Sequence, residues 1–242
     1  MSFSPTRSLA AAAGLAMATA SLAACAPSSS AHGLAVVATT TQVCDYVTQI
    51  AARSADISLD KTDAAGKSSH VGAPADGAAL TMSLTCLLAP NASAHEHEMT
   101  PAQTSALAQA DVMAVSGVDL EHFLDDAVVS SGFKGRMIIT SGVLTAADID
   151  NPGTPDPEGA YTIDRGSERV DVAPWPFPPE EAGEEPEFRF DPHVWTSPKG
   201  ARVQVANLGA GLAAAAPDAA SSINAATASY LEDIDALDQW TA

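Results

Sequence analysis

Short apolar runs alternate with helical patterns along most of this 242-residue chain. The run at 34–38 is followed by apolar residues at helical spacing, which are Val43, Tyr46, Val47 and Ile50. A strand that leads straight into a helix begins a βαβ unit, and repeated units of this kind build parallel sheets. This alternation is the strongest constraint on the fold.

The same alternation continues downstream. Strand-like runs occupy 80–88, 111–116 and 136–140, and helical patterns begin at 100, cover 120–128 and cover 197–216. Thr100, Pro101 and Gln103 supply an N-cap, a proline at the first helical position and a capping-box glutamine. We therefore predict an α/β fold with a mainly parallel sheet of about four strands and helices on both faces.

Two polar segments interrupt this pattern. Residues 53–79 are rich in Asp, Ser and Gly and are interpreted as a surface insertion. Residues 151–190 hold eight of the 16 prolines and ten acidic residues against three arginines, which is typical of a mobile, protease-sensitive loop rather than a core element. The predicted organisation is one lobe at 34–216 that carries these two insertions, followed by a last helical segment at 217–242.

The N-terminus has the features of a targeting segment. Arg7 is the only charge before an alanine-rich apolar stretch that is too short to span a bilayer. The stretch closes with Leu22-Ala23-Ala24-Cys25, which resembles the lipobox of bacterial lipoproteins. We predict a signal peptide at 1–24, a lipid anchor on the Cys25 thiol and a tether at 25–33. The alternative is an ordinary secretory signal with an incidental cysteine.

The overall charge excludes one large class of partner. The formal net charge is −19, with 30 acidic against 11 basic residues. A field of this sign repels nucleic acid and attracts cations, so we expect no nucleic-acid partner.

Two cysteines, Cys44 and Cys86, lie beyond the predicted leader. Outside the cytoplasm they could form a disulfide, and two buried free thiols are the alternative. The chain has no C-x-x-C pair, which argues against a thiolate zinc site or a redox motif.

Two histidine segments carry the chemistry. His95-Glu96-His97-Glu98 follows a predicted strand, and Asp191-Pro192-His193-Val194-Trp195 precedes a predicted helix. In open α/β sheets, ligands bind in the loops at the carboxyl ends of the strands. Neutral imidazole is the commonest metal ligand, and Asp191 could accept a hydrogen bond from the second ring nitrogen of His193.

Enzyme motifs are absent. A zinc protease helix needs H-E-x-x-H, but Met99 stands where the second histidine would be. No G-x-S-x-G elbow and no phosphate-binding G-x-x-x-x-G-K loop occurs. We therefore predict a binding protein, with a surface adhesin or scaffold as the alternative and a zinc hydrolase as the weaker one.

Four motifs follow one another along the chain: Ala38-Thr39-Thr40-Thr41-Gln42-Val43, Leu87-Leu88-Ala89-Pro90-Asn91-Ala92-Ser93-Ala94-His95, Gly117-Val118-Asp119-Leu120-Glu121 and Asp191-Pro192-His193-Val194-Trp195. Together and in this order they resemble those of the zinc- and manganese-binding receptors of bacterial ABC importers. The acidic insertion and the segment Ala92-Ser93-Ala94-His95 are similar to those of the actinobacterial anchored-repeat branch of that family.

The resemblance implies that His95 and His193 are metal ligands. In the family, the remaining ligands come from a second α/β lobe beyond a long connecting helix, and residues 217–242 would be the start of that helix. The resemblance thus implies that this chain is truncated. It also implies an ABC permease and its ATPase as partners, and an extracytoplasmic, lipid-anchored location.

His97 is assigned by the same resemblance, and the other histidines by their positions in a helical pattern or in polar linkers. The family usually has an aromatic residue where His97 stands, so His97 is a possible extra donor, and Glu96 a neighbouring acceptor. His32, His70 and His122 are expected to be structural or solvated. Zinc is favoured over manganese because both expected donors are imidazoles, whereas manganese prefers carboxylates.

Overall fold

The computed structural model describes Met1 and residues 33–151, 159–179 and 183–242. Cys25 with its expected lipid, His32 and the predicted leader after Met1 lie outside this part of the chain. The strands are β1 (Leu34–Ala38), β2 (Ile57–Thr62), β3 (Ser68–Gly72), β4 (Leu80–Cys86), β5 (Val112–Val115), β6 (Arg136–Ile139) and β7 (Thr162–Asp164). The helices are α1 (Thr41–Ala52), α2 (Pro101–Ala108), α3 (Leu124–Ser131), α4 (Ala146–Asp150), α5 (Pro198–Ala215) and α6 (Ala220–Thr241).

In the described residues the strands form a seven-stranded sheet in the order β3-β2-β4-β1-β5-β6-β7. Every neighbouring pair is parallel except β2 and β3, which form an antiparallel edge hairpin. The crossovers place helices on both sides, as parallel strands require. The predicted α/β class and mainly parallel sheet are therefore confirmed.

The core lies on both faces of the sheet because strand side chains alternate in direction. Val36 belongs to the cluster that also contains Val47 and Leu208, from α1 and α5. Its neighbour Val37 belongs to the opposite cluster, with Leu107 of α2 and Phe133. The predicted helix starts also agree with the structure, since the Thr100–Gln103 capping box is formed at α2.

The prediction of a surface insertion at 53–79 is wrong for its first half. This segment contains β2 and β3, and β2 lies inside the sheet between β3 and β4. Ile57 and Leu59 are fully buried in the core. The short alternation of apolar and polar residues in β2 was hidden by the polar composition around it, and burial became evident only through pairing with β4.

The acidic segment also differs from the prediction in its described part. Residues 162–164 form β7, which pairs with β6, and the count of strands rises from the expected four to seven. Val170 and Phe188 are buried, so this segment contributes to the core as well as to the surface. Polar residues of the segment also contact the rest of the lobe, for example Glu168, whose backbone N–H donates to the Asn207 side chain.

Cys44 of α1 and Cys86 at the end of β4 form a disulfide, with Cα atoms 5.6 Å apart. The alternative of two free thiols therefore does not hold. None of the helices within the described ranges is long and apolar enough to cross a membrane.

Candidate metal centre

The structure brings His95 and His193 together, as predicted. Their ring centroids are 5.6 Å apart, with the rings nearly perpendicular at 73°. His95 lies in the loop between β4 and α2, and His193 lies directly before the 3₁₀ turn Val194–Thr196 that leads into α5. Two imidazoles that share a tetrahedral ion, with nitrogens about 2.0–2.1 Å from zinc, have ring centres about 5 Å apart. The observed separation fits such a shared ion with little movement.

His193 is held by its own segment. The Asp191 carboxylate lies 2.8 Å from the ring Nδ1 and accepts a hydrogen bond from the His193 backbone N–H at 3.0 Å. A carboxylate on Nδ1 fixes the ring orientation and leaves Nε2 as the donor for a metal. The role predicted for Asp191 as the acceptor beside His193 thus has the required geometry.

No carboxylate of the described residues accepts a hydrogen bond from the His95 ring as Asp191 does from His193. The Nδ1 of His95 is inaccessible to solvent and has no hydrogen-bond partner, and its backbone N–H donates to the Ser93 hydroxyl at 3.2 Å. Burial lowers the pKa of His95, and the nearby His193 and His122 rings act in the same direction, whereas the Glu187 carboxylate and a hydrogen bond to the Leu120 backbone raise it. A lowered pKa favours the neutral ring, which is the form that binds a metal.

Aromatic side chains enclose the two rings. Phe188 lies 4.9 Å from the His95 ring, and Trp175 stacks on the His193 ring at 5.9 Å and 27°. Trp195 contacts the His193 ring edge-on at 5.2 Å. Two of these three aromatics come from the acidic segment, which therefore supplies an apolar wall around the imidazoles.

His97 lies beside the pair rather than within it. Its ring packs edge-on against Phe123 at 4.9 Å, and its Nε2 is buried without a hydrogen-bond partner. Burial lowers the pKa of His97, whereas a hydrogen bond that its ring donates to the Gln103 side chain raises it. Glu96 is exposed. The structure thus gives neither residue a contact with His193.

His122 is the residue that sequence reasoning missed. Its ring lies 6.1 Å from that of His95 and 5.4 Å from that of Phe188. The expectation that His122 is merely structural or solvated is right about its exposure but overlooked its neighbours. The available signal was its position directly after Gly117–Glu121, a loop that follows β5 at the same edge of the sheet as the loop after β4.

Glu121 fixes that loop. Its carboxylate is fully buried and accepts hydrogen bonds from the Thr39 hydroxyl at 2.6 Å and from the backbone N–H groups of Ser116 and Gly117 at 2.7 and 3.0 Å. Burial raises the pKa of Glu121, whereas the donated hydrogen bonds lower it. Gly117 has a φ of +89°, and a side chain there would collide with the Val143 carbonyl. These contacts set the position of His122 next to the pair.

The remaining histidine of the described chain is far less involved. His70 on β3 is exposed and lies 3.0 Å from the Asp60 carboxylate, as expected of a solvated residue. The Asp60 side chain raises the pKa of His70. In the ranges that the structure describes, no three His, Cys, Asp or Glu side chains are arranged to hold an ion together. The pair of His95 and His193 is therefore an incomplete donor set.

The chain resembles known proteins both in sequence and in structure. A family model described as zinc-uptake complex component A, periplasmic, matches residues 36–242. The chain is similar in structure to the Zn(II)-bound AdcA of Streptococcus pneumoniae, with a TM-score of 0.53 and 19% identity over 86% of this chain and 32% of that one.

Two further solved structures give the same result. The metal-dependent lipoprotein YcdH of Bacillus subtilis has a TM-score of 0.52 at 18% identity, covering 86% of this chain and 54% of that one. A zinc-bound deletion mutant of ZnuA has a TM-score of 0.54 at 16% identity, covering 86% and 56%. At this identity the likeness establishes the fold, and this chain spans at most 56% of the length of these three structures.

Proposed function

The chain belongs to the ZnuA family of periplasmic zinc-uptake components, and on that premise we propose that it captures Zn²⁺ through His95 and His193 for delivery to a membrane permease. The separation of 5.6 Å between the two imidazoles carries this proposal. The family is one of binding components, in agreement with the prediction of a protein without enzymatic activity.

Zinc is proposed over manganese because of the donor types. Both facing donors are imidazoles, which suit zinc, whereas manganese prefers oxygen ligands. The Oδ1 of Asp191, at 2.8 Å from Nδ1 of His193, is engaged with that ring.

Zinc favours four ligands in closed sites, and two imidazoles supply half of that number. We propose that water or groups outside the described residues complete the coordination. An ion held in this way is bound and released without covalent chemistry. Binding and release are what a receptor needs in order to pass its cargo to a permease with an associated ATPase.

The lipid anchor is part of the same proposal. Cys25 closes a sequence that resembles a lipobox, and a lipid there would keep the receptor at the outer face of the cell membrane. We expect Cys25→Ala to leave the protein unprocessed or to release it from membranes, measured by cell fractionation. An unchanged membrane fraction would contradict the anchor.

The binding proposal is tested by calorimetric titration of the full chain with zinc. His95→Ala and His193→Ala should each weaken binding by more than the about 10–100-fold that follows the loss of an outer acceptor. The matched control is His70→Ala, because His70 is exposed and lies on β3, at the opposite edge of the sheet from β7. One-to-one binding that survives both site substitutions would show that the metal is held elsewhere.

A further inference from the structure

A cleft of about 820 Å³ lies beside the candidate metal pair. One side is formed by residues 95–99 of the loop after β4, and the other by His122 and the first two turns of α3. His95 lines this cleft while its ring also faces His193. The cleft therefore connects solvent directly to one member of the pair.

The charge of the cleft suits a cation. Glu96, Glu98 and Asp126 line it, and no lysine or arginine is among its lining residues. A concave surface that carries one sign of charge raises the local concentration of ions of the opposite sign and their rate of association. Charge alone does not make a site, but here it surrounds a second pair of imidazoles.

His122 and His95 form that second pair. Their ring centroids are 6.1 Å apart, close to the separation of 5.6 Å between His95 and His193. Phe188 packs against both His95 and His122, at 4.9 and 5.4 Å, and so links the two rings that line the cleft. His122 is exposed, and exposed side chains change rotamer within nanoseconds, so its ring can turn toward an incoming ion.

We propose that this cleft is the route by which the metal reaches the pair, and that His122 is the first imidazole to bind it. The ion is held between His122 and His95 and then passes to His95 and His193, with His95 bound throughout. This assignment rests on the proposed function, because it requires His95 and His193 to be the final site. No bond other than metal coordination forms or breaks.

A ligand that acts only during access has a characteristic kinetic effect. It lowers the barrier in both directions, so its removal slows association and dissociation by the same factor and leaves the equilibrium constant unchanged. A ligand that stays on the bound ion behaves differently, because its loss speeds dissociation and weakens affinity.

The experiment is stopped-flow mixing of the full chain with Zn²⁺ alone at low ionic strength. Tryptophan fluorescence is the signal, since Trp175 and Trp195 lie 5.9 and 5.2 Å from the His193 ring. His122→Ala and His122→Asn should slow association at least about threefold and slow dissociation equally. His70→Ala is the matched control and should leave both rates unchanged.

The acidic lining is tested in the same way. The double substitution Glu98→Gln and Asp126→Asn should slow association and reduce its dependence on salt, because screening acts on the attraction between these charges and the ion. His122→Ala in the same background should slow association further.

The outcomes separate the two proposals. Unchanged rates in His122→Ala, with binding lost in His95→Ala and His193→Ala, would overturn the access route alone. Faster dissociation and weaker affinity in His122→Ala would also overturn it, since His122 would then be a resident ligand. Full binding in His95→Ala and His193→Ala would overturn the proposed function itself.

Discussion

The side chains of His95 and His193 lie close together, but different contacts hold them in position. His193 is oriented by Asp191 within its own segment, and Trp175 and Trp195 pack on its ring. His95 has an Nδ1 without a hydrogen-bond partner, and its ring is held by packing against Phe188. His193 is oriented by a local hydrogen bond, whereas His95 packs against a side chain distant in sequence.

The two histidines therefore differ in what their neighbours do: Asp191 orients the His193 ring, whereas Phe188 removes water from the His95 ring. A carboxylate beside a ring raises its basicity and fixes its direction, whereas an apolar neighbour removes water and favours the neutral form. We therefore expect His193 to tolerate changes in the aromatic wall better than His95. His95 in turn should tolerate changes in local hydrogen bonding better than His193.

The largest expected effect is on stability and concerns the disulfide at the start of the His95 loop. The Cys44–Cys86 disulfide fixes the end of β4, from which the His95 loop begins, and crosslinks residues 42 positions apart. Removing it with Cys44→Ala and Cys86→Ala should lower the free energy of unfolding by about 4 kcal/mol, mainly by freeing the unfolded chain. Urea denaturation with and without reductant measures this. A double variant as stable as the oxidised chain would show that the crosslink does not support this segment.

The second effect concerns Phe188, which is 4% exposed and contacts His95, His122 and Trp175. Phe188→Ala should lower the free energy of unfolding by about 3 kcal/mol, because it leaves a cavity. Phe177→Ala is the control from the same segment, since Phe177 is 61% exposed and should change stability by less than about 0.5 kcal/mol. Equal effects of the two substitutions would contradict the packing role of Phe188.

The third effect distinguishes the two segments directly. Asp191→Asn should weaken zinc binding about 10–100-fold, because an amide orients the His193 ring less strongly than a carboxylate. Ser93→Ala removes the acceptor of the His95 backbone N–H and should change affinity by less than about threefold, since that hydrogen bond is exposed. Calorimetric titration compares them. Similar losses in both variants would mean that the two histidines are held alike.

The smallest expected effect is on the pKa of His95 in the metal-free chain. Burial lowers the pKa of His95, whereas Asp60 raises that of His70, so His95 should titrate at lower pH in an NMR titration. Phe188→Ala should move the pKa of His95 upward by restoring water. An unchanged His95 titration in Phe188→Ala would show that Phe188 is not the source of its desolvation.

The same shift has a consequence for stability. As the pH falls, His95 is protonated in the unfolded chain before it is protonated in the folded chain, because its pKa is lower in the folded chain. The contribution of neutral His95 to the free energy of unfolding is therefore complete above about pH 6.5 and is lost as the pH falls toward the folded pKa. His95→Gln should remove this part of the pH dependence in denaturation experiments between pH 7.5 and 5.5, while His70→Gln should not.

Local patterns were sufficient for much of the fold. The alternation of Val36 and Val37 between two faces, and the capping box of Thr100 and Gln103, are properties of neighbouring residues, and both are present in the structure. The Asp191–His193 contact is likewise local, since it spans two residues. Each of these signals is complete within a few positions, so the sequence alone determined it.

Long-range packing decided the rest. β2 is a core strand because it pairs with β4, and β7 is a strand because it pairs with β6, although their local composition is polar. His122 and Phe188 reach His95 because three separate loops meet at one edge of the sheet. The pattern of residues therefore determined the strand–helix alternation and the two principal histidines. Only the tertiary structure decided what surrounds them, because burial and ring contacts arise from segments that sequence order keeps far apart.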